Sequence, residues 1–143
     1  VTTGYLVNPD LTHRVIEFEI EQANQFLGGT TEGHVSVAFQ EDGSTYAALY
    51  NANARAERAE PNPVASLARN QADTGNPAFL QDPIRAIAGP VIFVHAQADQ
   101  EADFQKIIDV VDRAIRAVGN YIEDNPEEYT LWRAAVLNTD KVG

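Results

Sequence analysis

The chain contains no cysteine and no methionine, a single tryptophan, and 10 basic residues against 21 acidic ones among its 143. Without cysteine there are no disulfide frameworks, thiolate nucleophiles, Cys-rich zinc sites or iron–sulfur clusters, and the lack of thiols fits a reducing compartment. No apolar run approaches the roughly 18–20 residues needed to cross a bilayer. The first residues also lack the basic and apolar regions of a signal peptide, so the expected location is cytoplasmic. The scarcity of basic residues leaves a net charge of −11. A field of that sign repels nucleic-acid backbone and anionic lipid and favours basic partners. The expected partner is therefore a basic protein, with no direct nucleic acid and no membrane, and the chain is expected to be a monomer or homodimer. Eight Arg against two Lys, with abundant Ala, reads as the codon usage of a GC-rich genome rather than a functional choice.

What the sequence does contain is clear local patterning. Gly4 to Asp10 reads as a short strand closed by an Asn-Pro turn, and Arg14 to Ile20 alternates Val15/Glu17/Glu19 against Ile16/Phe18/Ile20, the period of a half-buried strand. The two are expected to pair. Glu21 to Leu27 reads as a short helical segment stopped by Gly28-Gly29. His34 to Phe39 and Thr45 to Tyr50 are strands joined by a turn containing Asp42-Gly43. Asn62 followed by Pro63 has the grammar of a helix start, an N-cap and a proline at the first helical position, and predicts a helix of about two turns. Asn70 to Pro83 reads as an exposed excursion anchored by Phe79 and Leu80. Val91-Ile92-Phe93-Val94 is an unbroken apolar run, as expected for a central strand buried on both faces.

Asp99 to Asp124 is the longest periodic segment, with Phe104, Ile107, Ile108, Val111, Ile115, Val118 and Ile122 on one helical face. Asn125-Pro126-Glu127-Glu128 repeats the helix-start grammar and predicts a second helix to Leu137, with Tyr129, Trp132 and Val136 inward. The fold class that follows is α+β, a mainly antiparallel sheet of about five strands covered by a long C-terminal helix and a second shorter one. One domain over residues 1–143 is expected, its strand-rich part over 4–96 and its helices over 99–138. Strand order does not follow from the sequence.

Taken in order, Asn8-Pro9-Asp10, Phe26-Leu27-Gly28-Gly29, Leu49-Tyr50-Asn51, Asn62-Pro63-Val64-Ala65 and Gly89-Pro90-Val91 resemble a domain-of-unknown-function family of small phage-, plasmid- and bacterium-encoded proteins. In that family a Gly-Gly turn, an Asn-centred connector, an Asn-x-x-Ala segment and a Gly-Pro-Val strand recur. The likeness covers roughly residues 4 to 96 and implies a fold region and a mobile-element context without implying a catalyst. This chain departs from the pattern at Asn51-Ala52, where the family tends to show Asn-Glu, and at Thr30-Thr31 after the glycines.

No nucleophile elbow, phosphate loop or metal-ligand spacing is present. His13, His34 and His95 lie on separate strands, so no metal and no cofactor is expected. Carboxylate pairs such as Glu17 with Glu19 and Asp109 with Asp112 read as solvated faces in a chain this acidic. The connector offers one candidate ligand site, in which Asn51, Arg55, Arg58, Asn62 and Arg69 supply amides and guanidiniums to a small anion. Glu57 and Glu60 in the same segment compete for those guanidiniums. Tyr121, Tyr129 and Trp132 offer an aromatic dimer face. The function expected is that of a non-enzymatic accessory or regulatory protein of mobile-element origin, acting by binding another macromolecule. The alternative is an anion-binding module built on the connector.

Overall fold

The structure, a computed structural model, describes residues 2–27, 33–39, 44–51, 53–54, 57–74, 86–95 and 104–138. Five strands, β1 (Thr2–Val7), β2 (His13–Phe18), β3 (Gly33–Phe39), β4 (Ser44–Tyr50) and β5 (Val91–His95), form one sheet in the order β2-β1-β5-β4-β3. Every neighbouring pair is antiparallel. The first two strands pair without a break from Thr2↔Phe18 to Val7↔His13. Their connection is held by Asn8 N donating to Thr12 O and by Asp10, which accepts from the backbone and hydroxyl of Thr12.

β5 sits in the middle, flanked by β1 and β4, as its unbroken apolar run predicts. Val91, Ile92 and Phe93 are fully buried and Val94 nearly so. Its odd-numbered residues Val91 and Phe93 join Tyr5, Val7, Tyr46 and Ala48 on the larger core face. Ile92 and Val94 join Leu6, Ile16 and Phe18 on the opposite face, closed by Ala23 and Leu27. Those last two come from a 3-10 turn (Ile20–Gln22) and a short helix α1 (Asn24–Leu27) with the residue between them. Phe26 packs edge-on against Phe18, with ring centroids 6.0 Å apart.

Three helices close the larger face: α2 (Pro63–Thr74), α3 (Phe104–Asp124) and α4 (Pro126–Asn138). α3 buries Ile107, Val110, Val111, Ala114, Ile115 and Val118 toward the sheet. Val110 and Ala114 widen the stripe read from the sequence, while Phe104, Ile108 and Ile122 lie at its half-buried margin. α2 has 12 residues, longer than the two turns expected, because Asn70 to Thr74 contains neither glycine nor proline and continues the helix. The part of the expected excursion beyond Thr74, with Phe79, Leu80 and Arg85, lies outside the described residues. So do Gly28-Gly29, the Asp42-Gly43 turn and the segment from Asp99 to Asp103.

Trp132 and Val136 are buried in the core, and Tyr129 is half-buried beside Trp132. Trp132, turned from α4 into the core, has no surface to offer a second copy, whereas Tyr121 and Tyr129 of the expected aromatic face stay half-buried. Among the described residues no helix is long and apolar enough to cross a membrane.

Candidate functional site

The connector between β4 and α2 is built around two buried asparagines. Asn62 is completely buried and uses its whole amide. Its Oδ1 accepts from Ala65 N at 3.2 Å, the N-cap bond read from the sequence. Its Nδ2 donates to Val7 O at 3.1 Å and to Gly89 O at 3.0 Å, so the same side chain ties α2 to the end of β1 and to the approach to β5. The backbone follows the same course: Asn62 N donates to Ile87 O, Gly89 N donates to Glu60 O, and Pro61 bridges Ala88. Gly89 has φ +80°, a left-handed conformation that a side chain would strain. Ser66 completes the junction, its hydroxyl accepting from Ile87 N at 3.0 Å and donating to Asn62 O at 2.7 Å.

Asn51 is also buried and turns its Oδ1 to Asn53 N at 3.0 Å, an Asx turn at the end of β4. Of the three connector arginines, Arg58 is exposed in a left-handed conformation, Arg69 is half-buried on α2, and Arg55 lies outside the described residues. The described members of the candidate anion site are thus two asparagines committed to the backbone and two arginines in different settings. A different cation reaches this segment: Arg133 of α4 forms a forked pair with Glu60, its Nη2 donating at 2.7 Å.

The structure assembles a second polar constellation at the β2 end of the sheet. Tyr5 faces Val15 in the β1–β2 register, which puts His13, two residues along β2, on the same face and diagonal to it. The Tyr5 hydroxyl lies 2.7 Å from His13 Nδ1 and donates to Asp112 Oδ1 of α3 at 2.5 Å. The rings of Tyr5 and His13 meet edge to face with centroids 5.4 Å apart. Burial first, then the bond to Asp112 and its charge, push the Tyr5 phenol well above the ordinary tyrosine range. At neutral pH the phenol keeps its proton and donates it in the bond to Asp112. A hydroxyl carries one hydrogen, so with that hydrogen on Asp112 the imidazole donates from its own Nδ1–H, and the lone pair of neutral His13 lies on Nε2. The sequence shows Tyr5 and His13 on paired strands, but nothing in it places Asp112 above them.

No family model, curated protein or solved structure matches the chain.

A third feature lies where α3 meets α4. Asn125 makes the corner, its backbone N and Nδ2 both donating to Tyr121 O while its carbonyl accepts from Tyr129 N. Around it stand Glu123 and Asp124, which end α3, and Glu127 and Glu128, which begin α4, all four exposed. Glu127 and Glu128 complement the positive end of the α4 dipole. Glu123 and Asp124 do the reverse, adding negative charge where the carbonyl end of α3 is already negative. Glu128 accepts from the Tyr121 hydroxyl, and that bond above all raises the phenol's pKa. Beside the corner, Pro126, Glu127, Thr130 and Leu131 line a shallow depression, and Leu131 is 71% exposed.

Proposed function

We propose that this protein is a non-enzymatic accessory or regulatory protein that binds a basic protein partner through the α3–α4 corner. The supporting observation is the placement of Glu123 and Asp124 at the negative end of α3, where local helix energetics favour cations. The α3 dipole disfavours carboxylates there, whereas the adjoining start of α4 and a positively charged partner both favour them. Leu131 supplies the apolar contact that a purely electrostatic surface lacks, since an anchor set among charges is the usual make-up of a recognition patch. The overall charge of −11 steers such a partner from a distance.

The small-anion reading of the connector draws no support from the geometry, because Asn62 spends its whole amide on the backbone and Asn51 its Oδ1. The test is calorimetric titration with a Lys/Arg-rich peptide carrying one leucine, at low and high salt. Binding should weaken with salt, and both the Glu123→Gln/Asp124→Asn double variant and Leu131→Ala should lower it. Binding indifferent to all three changes, or catalytic turnover abolished by a single substitution, would overturn the reading.

A further inference from the structure

β2 is the terminal strand of the sheet, and no strand among the described residues pairs with its outer side. Proteins guard such edges with charged side chains, lysine above all, with proline, a bulge, a very short strand or a covering helix or loop. Over His13–Phe18 this edge carries the charges of Arg14 and Glu17 but no lysine and no proline, and its register with β1 is unbroken, so there is no bulge. It also displays Val15, one of the chain's exposed large apolar side chains, at 50% exposure. We infer that the outer edge of β2 pairs antiparallel with β2 of a second copy, centred on Val15, joining the two sheets into one.

The register follows from symmetry and charge. A two-fold axis perpendicular to the sheet keeps every side chain on its own face, so the residues that meet across it are of the same parity. Centring on Val15 sets Val15 against Val15 and places His13 of each copy opposite Glu17 of the other, on the face that carries α3. Arg14 then meets Ile16 on the opposite face. The neighbouring registers are worse: centring on Arg14 opposes two guanidiniums, centring on Ile16 sets both Val15 and Phe18 against charged residues, Glu17 and Arg14, where the Val15 register has one such mismatch, and centring on Glu17 opposes two carboxylates. Like charges directly opposite one another destabilise a ladder, and opposite charges and β-branched pairs stabilise it. His13, Val15 and Glu17 are all exposed in the single chain, so the pattern that is idle there becomes complementary in the pair.

Tyr5 and Asp112 prepare one partner of this contact. Held through Nδ1, His13 meets the facing Glu17 with Nε2, which donates to that carboxylate in the imidazolium form. The groups around the imidazole are then Tyr5 of β1, Asp112 of α3 and Glu17 of the second copy. A six-residue edge falls short of the roughly 1,200–2,000 Å² of a standard interface, so the association depends on concentration.

Sedimentation equilibrium of the purified chain alone, up to millimolar concentration, tests the inference independently of any basic partner. A monomer–dimer equilibrium is expected, weakened at least about tenfold by Val15→Lys and by Glu17→Lys. Glu17→Lys mixed with His13→Glu should associate although neither does so alone, because only the mixed pair sets opposite charges face to face at both positions. Circular dichroism of each variant checks that the fold is kept. A wild-type monomer at every concentration, variants that dimerise as the wild type does, or a mixture that stays monomeric would each overturn the inference.

Discussion

Tyr5 and Asp112, 107 residues apart in the chain, meet in a hydrogen bond of 2.5 Å that joins the second strand of the sheet order to the middle of α3. Replacing Tyr5 by Phe keeps the ring packed but removes the donor, and should cost about 1–3 kcal/mol, the usual range for a hydrogen bond to a charged group. The effect on pH dependence has a definite sign. Below the ordinary tyrosine value of 10.0 both folded and unfolded chains hold the proton and the contribution is complete. Above it the unfolded phenol ionises while the folded one does not, so stability falls until the native phenol ionises as well. Denaturant titrations at rising alkaline pH should therefore show the wild type losing its advantage over Tyr5→Phe.

Asn62 can be dissected by comparing two substitutions. Asp keeps the cap acceptor for Ala65 N but removes both hydrogens given to Val7 O and Gly89 O, whereas Ala removes everything. If capping were the main role, Asp would be nearly neutral and Ala would cost about 1 kcal/mol. Because the site is fully buried and two carbonyls lose their donor, both variants should be destabilised by about 2 kcal/mol or more, with Asp no better than Ala. Urea midpoints of the three proteins decide between the two roles.

Gly4 is required by space and not by backbone conformation. A methyl group there would lie 2.4 Å from Ile92 Cγ2 and 3.0 Å from the Phe18 ring, both deep in the smaller core. Gly4→Ala should destabilise by about 1–3 kcal/mol through overpacking. Ile92→Ala should cost less on the Gly4→Ala background than alone, since it removes the clashing carbon. A double-mutant cycle by thermal unfolding measures that coupling.

How much of this was legible in the sequence depended on how far each signal reaches along the chain. The alternation in β2, the apolar run of β5 and the stripe of α3 are local, and the α+β class followed from them. Asn62 was legible as a cap because Ala65 is three residues on. Its second role was not, because the carbonyls it braces belong to Val7 and Gly89, 55 and 27 residues away. The length of α2 is not legible because Asn70 to Thr74 is mostly polar, and a polar run without glycine or proline suits the end of a helix as well as a loop. Tyr5, His13 and Asp112 needed both a strand register and the height of α3 over the sheet, and neither is written in any single segment.

The position of β5 also bears on how the chain is made. The sheet consists of two antiparallel pairs, β1 with β2 and β3 with β4, and the segment that joins them is the last strand in the sequence. A nascent chain that has not reached Val91 lacks the strand that pairs with the inner edges of β1 and β4. Open strand edges in an incomplete fold are where chains aggregate or pair wrongly. Completion of the sheet therefore waits on Val91–His95, the strand that covers both inner edges at once.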